Sequence, residues 1–137
     1  MGIGRMKGYC INIEKVVKSN SDYRRVLYTT KRSQLVLMCL LPGEDIGNEI
    51  HISNDQFFLI EEGEGVCMIN GDNHCVKAGD AVMIPAGAKH NLINTDKSKA
   101  LKVLTVYAPA QHKDGIIRKT KKEAMEKSIS FDGVTTE

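Results

Sequence analysis

The sequence predicts an all-β fold, a sandwich or a barrel. Three observations carry this. Eight or more short runs rich in β-forming residues follow one another, with turn residues about every 8–12 positions. Asn70-Gly71 sits between two such runs and is a strong hairpin signal, because both turn residues need positive φ. Only one segment, near the C-terminal end, has a helical composition.

Taken in order, Ile11 and Ile13 alternate with polar neighbours, as on a short edge strand. Ser19-Asn-Ser-Asp22 is a turn signal, and residues 24–30 (RRVLYTT) read as a strand. Residues 34–41 (QLVLMCLL) form an apolar run stopped by Pro42-Gly43. The run is short for a helix and reads as a strand covered on both faces, one by the barrel interior, the other by an N-terminal strand or a second subunit. In residues 55–61 (DQFFLIE), an inward Gln56 places Phe57 and Leu59 outward. Strands are expected at 65–69 and 72–77 around the hairpin turn, then at 81–84, 89–94 and 101–107. Pro85-Ala-Gly87 turns the chain before His90. Beyond Pro109, residues 121–127 (KKEAMEK) read as a surface turn of helix with Thr120 as N-cap. The last ten residues read as loosely held.

Two glycine-framed stretches concentrate the chemistry. The first runs from Gly43 to Gly63 and holds Glu49, His51 and Gln56; the second, from Gly79 to Asn94, holds Pro85, Gly87 and His90. Residues two apart on a strand share a face, so Glu49 and His51 project together. Gln56 comes from the next strand and His90 from a distant one. Two imidazoles, one carboxylate and one amide oxygen make a compact divalent-metal set. The same residues in a barrel that has lost its metal are the alternative.

These spacings resemble the two motifs of the cupin superfamily, G-x5-H-x-H-x4-E-x6-G and G-x5-P-x-G-x2-H-x3-N. Gly43, Gln56, Gly63, Gly79, Pro85, Gly87, His90 and Asn94 fall in register. Glu49 stands where the first His is usual, and Gln56 where Glu is usual. The pairing of His with Glu and Gln is also similar to the zinc site of type I phosphomannose isomerases, with Glu and Gln exchanged. The resemblance is to small single-domain cupins. It implies a double-stranded β-helix, a jelly-roll-like barrel, with a short C-terminal helix. It also implies one divalent metal ion per chain on Glu49, His51, Gln56 and His90. The two exchanges keep one carboxylate in the set. Zinc, iron, manganese and nickel all suit imidazole and oxygen donors.

At 137 residues the chain is expected to be one domain, with a barrel over about 24–108 and a C-terminal extension over 109–137. A formal net charge of +2 implies no nucleic-acid partner. Charge is uneven. Residues 33–98 hold ten acids against three Lys/Arg, while both flanks are basic, which suits a central cation site or an ordinary solvated surface. No apolar run approaches the roughly 20 residues of a bilayer span, and no export signal is visible. Cys10, Cys39, Cys67 and Cys75 lack C-x-x-C spacing and read as reduced, mostly buried thiols in a cytoplasmic protein. The apolar strand 34–41 with outward Phe57 and Leu59 points to a homodimer.

No Ser-His-Asp framework, phosphate loop or C-x-x-C zinc pattern is present, and no catalytic residue is nominated. Tyr107, at the end of the last core strand, reads as packing, with a site hydroxyl as the alternative. His112 reads as exposed, with folding over the barrel mouth as the alternative. His74 reads as a surface residue, and Asp55 faces away from Gln56. Lys89 and the basic ends offer weak attraction to an anionic substrate. The function expected is metal-dependent action on a small polar metabolite, first as an isomerase of a sugar or sugar phosphate. The alternatives are an iron- or manganese-dependent dioxygenase or decarboxylase, and a non-catalytic ligand-binding module.

Overall fold

A computed structural model describes residues 5–137. Its elements are α1 (Ile13–Ser19), β1 (Arg24–Thr29), β2 (Gln34–Leu40), β3 (Glu49–Ile50), β4 (Asp55–Glu62), β5 (Glu64–Ile69) and β6 (Asp72–Lys77). There follow β7 (Ala81–Ile84), β8 (Lys89–Asn94), β9 (Leu101–Ala108), β10 (Ile117–Arg118) and α2 (Lys121–Glu126). Two antiparallel sheets face each other, one in the order β10-β1-β2-β9-β4-β7, the other β3-β8-β5-β6. This is the double-stranded β-helix expected from the motifs.

Alternation sets the core. On β4, Gln56, Phe58 and Ile60 are buried, while Phe57 and Leu59 on the other face are half-buried. Val36, Met38 and Leu40 of β2 meet Cys67 and Leu92 of the facing sheet between the two layers. Asn70 and Gly71 both have positive φ (47° and 86°) and close the β5–β6 hairpin as expected. Gly63, which ends the first motif, has φ +92°, and a Cβ there would lie 2.5 Å from the Ala100 carbonyl oxygen. Only glycine fits that approach.

The N-terminal edge strand expected at Ile11 and Ile13 is instead the start of α1. Asn12 caps it, its Oδ1 accepting from Lys15 N at 3.0 Å. Ile13, Val16 and Val17 follow the helical i, i+3, i+4 spacing, which prevails over the short apparent alternation. They pack with Leu37, Leu59 and Leu104 on the outer face of the large sheet. Thus β2 is covered on both faces as expected, but by a helix of its own chain.

The C-terminal segment is held more firmly than its composition suggests. Thr120 caps α2, accepting from Glu123 N at 3.1 Å. Lys121 Nζ bonds Asp45, and Ala124 is buried. Phe131 N donates to Gln111 O, and Thr136 N to Thr29 O. The Glu137 carboxylate accepts from Tyr28 Oη and from the Lys7 and Gly8 amides. Backbone pairing thus overrides the weak local signal. Among the described residues all four cysteines are free; Cys39 and Cys67 are buried, whereas Cys10 and Cys75 are exposed, contrary to mostly buried thiols. Among the described residues, no helix is long and apolar enough to cross a membrane.

Candidate metal centre

The two motifs meet between the sheets at one end of the barrel. Glu49 on β3 pairs in register with His90 on β8, and His51 follows directly. Gly87 N, in the turn of the second motif, donates to His51 O at 2.9 Å and fixes that backbone. Ala86 N donates to Asp55 Oδ1 at 2.9 Å, so Asp55 serves the turn and faces away from the centre. Asn94, the last motif residue, is structural: its Nδ2 donates to Leu40 O and Lys99 O.

Ligand atoms of Glu49, His51 and His90 all lie within 4.8 Å of one another. Glu49 Oε2 is 2.8 Å from His51 Nε2. Gln56 reaches in from the opposite sheet, with Oε1 2.9 Å from His90 Nε2. Gln56 and His90 are each 1% exposed. The fold therefore brings Glu49, His51, Gln56 and His90 to one point.

The donor chemistry fits a cation. His90 Nδ1 lies 3.1 Å from Ala88 O, the second-sphere bond common to histidine ligands. Burial, aided by His51, holds His90 below its ordinary pKa, so the ring is neutral with one N–H. With that hydrogen on Nδ1, the Nε2 lone pair faces the Gln56 oxygen. A cation held by the two would satisfy both. A half-turn of the amide would relieve the contact without an ion, but the oxygen-inward orientation suits a cation, and it leaves Gln56 Nε2 buried without a hydrogen bond.

Beside this group stands a second pair. Tyr107 on β9 is the cross-strand neighbour of Gln56, and His51 meets its ring edge-on at 5.8 Å. His112 Nε2 is 3.3 Å from Tyr107 Oη, so His112 folds over the barrel mouth instead of standing in solvent. Two buried amides cause this. Gln34 bonds the Gln111 and His112 backbone, and Asn54 Nδ2 donates to Pro109 O and Ala110 O. Burial raises the Tyr107 hydroxyl, with Glu49 adding, and pushes His112 down to about 3, so both are neutral. His74 is exposed, as expected.

Sequence reasoning missed Arg24. It lines the pocket over the centre with Glu49, His51, Gln111 and His112; the space is about 160 Å³. The signal was its alternation with Val26 across Arg25, which puts its side chain on the inward face of β1.

A double-stranded β-helix with a His/Glu group at one end of its barrel that could hold a metal ion defines a protein of the small jelly-roll class. Residues 36–107 match the cupin domain, and the chain belongs to the cupin family. It is 40% identical over 125 residues to the uncharacterized protein YrkC of Bacillus subtilis (strain 168), covering 87% of this chain and 67% of that protein. It is 42% identical over 112 residues to the uncharacterized protein L612 of Acanthamoeba polyphaga mimivirus, covering 80% of this chain and 70% of that one. The crystal structure of BH2720 from Bacillus halodurans superposes with a TM-score of 0.85 at 38% identity, covering 88% of this chain and 96% of that one.

Proposed function

We propose that this cupin is a metal-dependent enzyme of isomerase type that moves a proton on a small polar metabolite. The observation that carries the reading is the Tyr107–His112 pair, 3.3 Å apart, beside the Glu49–His51–His90 group. Glu49, His51, Gln56 and His90 would hold one divalent ion, which supplies Lewis acidity toward a substrate carbonyl. Tyr107 and His112 are the acid–base pair. Burial leaves the His112 imidazole a weak base in the free protein; a substrate anion facing it would raise that basicity, so that it accepts a proton while the Tyr107 phenol donates one, and the contact between them lets the pair reset after each transfer. Tyr107 is buried and His112 half-buried, which limits water at the pair. The pocket is below the roughly 300–1,000 Å³ of sites for drug-sized ligands, which favours a substrate shorter than a sugar phosphate. A cytoplasmic setting belongs to this reading and rests on the free thiols.

The test is proton NMR in D₂O with metal-loaded protein and a panel of short hydroxy- and keto-compounds, under argon and under oxygen. Deuterium uptake next to a carbonyl, lost in Tyr107→Phe and His112→Gln, is the expected result. Turnover only under oxygen would move the assignment to an oxygenase. No turnover at all would leave a ligand-binding module.

A further inference from the structure

The pocket holds one group that proton transfer does not use. Arg24 is 9% exposed, and its Nε is buried without a hydrogen-bond partner. Among the described residues, no carboxylate lies within ion-pair distance of its guanidinium, and no side-chain hydrogen bond involves it. Glu49, the carboxylate of the pocket, is turned to His51. The Tyr23 ring lies 5.5 Å from Arg24 Cζ, which occupies a face of the guanidinium and leaves its edge donors unused. A buried unpaired cation is costly, and a fold that keeps one has a use for it.

We propose that Arg24 is the anchor for a substrate carboxylate, and that the substrate is a two- or three-carbon acid. The guanidinium edge matches a carboxylate with two parallel N–H···O bonds. Arg24 on β1 pairs in register with the core residue Met38, so its side chain enters the barrel and does not leave it. The pocket of about 160 Å³ is small beside the roughly 300–1,000 Å³ of sites for drug-sized ligands, which suits a short acid. Met125, Ser128, Ile129 and Ser130 also line it and carry no charge to meet a second anionic group. An acid held by Arg24 presents its other end to Glu49, His51 and the Tyr107–His112 pair. A phosphate fits less well, because a single guanidinium would have to balance a dianion beside Glu49.

The substrate class rests on reading the pocket as an active site, but the anchor does not need the metal. The experiment is therefore calorimetric titration of the full chain, metal-free and manganese-loaded, with pyruvate, glycolate, methyl pyruvate and inorganic phosphate. Pyruvate and glycolate should bind the metal-free protein, with methyl pyruvate and phosphate at least tenfold weaker. Arg24→Gln should lose tenfold or more in pyruvate affinity, and Arg24→Lys less. Arg24→Gln should melt at or above the wild-type temperature, since it removes an unpaired charge. Undiminished binding by Arg24→Gln, equal binding of methyl pyruvate or phosphate, or no binding of either acid in both forms overturns the proposal. So does a fall in the melting temperature of Arg24→Gln, which marks a structural cation. If the chain takes up no manganese yet binds pyruvate through Arg24, the metal reading fails and the anchor stands.

Discussion

The side-chain amide of Gln34 grips the backbone of His112 from both sides. Its Nε2 donates to His112 O at 2.7 Å, and its Oε1 accepts from His112 N at 3.1 Å and Gln111 N at 3.2 Å. Gln34 is fully buried at the start of an otherwise apolar strand. One residue thus satisfies three backbone groups and fixes where the His112 ring lies relative to Tyr107.

Gln34→Leu should leave those backbone groups without partners and cost about 2–4 kcal/mol by urea unfolding, while metal content is unchanged. Whatever turnover the wild type shows should fall with it, through kcat. A variant as stable and active as the wild type would mean that the segment is held by Asn54 alone.

The metal site gives a graded series. Purified protein should carry about one divalent ion per chain by mass spectrometry of the metal, and His51→Ala with His90→Ala should carry none. Gln56→Glu adds a second carboxylate, so it should bind the ion more tightly and lower its acidity, keeping metal and losing turnover. Gln56→Ala should bind it more weakly and regain activity at excess metal. Full metal content in the double alanine variant would put the ion elsewhere.

His112 sets a pH dependence. Burial holds its folded pKa down at about 3 against an ordinary 6.5. The unfolded chain therefore takes up a proton below pH 6.5 that the native state refuses. This contribution to stability is full above about pH 6.5 and is lost as pH falls toward 3, at up to about 1.4 kcal/mol per pH unit. His90 acts in the same direction. Between pH 7 and 5, metal-free wild type should lose about 2 kcal/mol more than His112→Gln in urea unfolding. Equal losses would show that the ring is open to solvent.

Homodimerisation is proposed through the outer face of β4 and β7. There Phe57 is half-buried, and its cross-strand partner Met83 is 63% exposed. Leu59 is excluded from this surface, because α1 covers it. Light scattering at micromolar concentration should give a dimer mass, and Met83→Lys should give a monomer. A monomeric wild type refutes the proposal.

What could be read in the sequence was what local rules govern. Strand alternation, the Asn70-Gly71 turn and the Thr120 cap depend on a few neighbours each, and the structure has them where expected. The glycine frames located Glu49, His51, Gln56 and His90, because spacing along strands translates directly into facing. Arg24, Gln34 and His112 were not legible as a group. Each looks ordinary in its own segment, and their meaning comes from β1, β2 and the chain after β9 meeting over one pocket. At α1 the competing signals lay in the same residues, and Ile13, Val16 and Val17 carried the period that wins once there is a sheet to cover.

Glu49 and His90 belong to the four-stranded sheet, Gln56 and Tyr107 to the six-stranded one. Whatever binds among them is therefore also a fastener between the two layers at that end. Loading the site should stiffen the whole sandwich and slow amide exchange on β3, β4 and β8 together. Stripping it should let the barrel breathe first at its mouth, so that the same contacts that prepare the chemistry also govern how often the door opens.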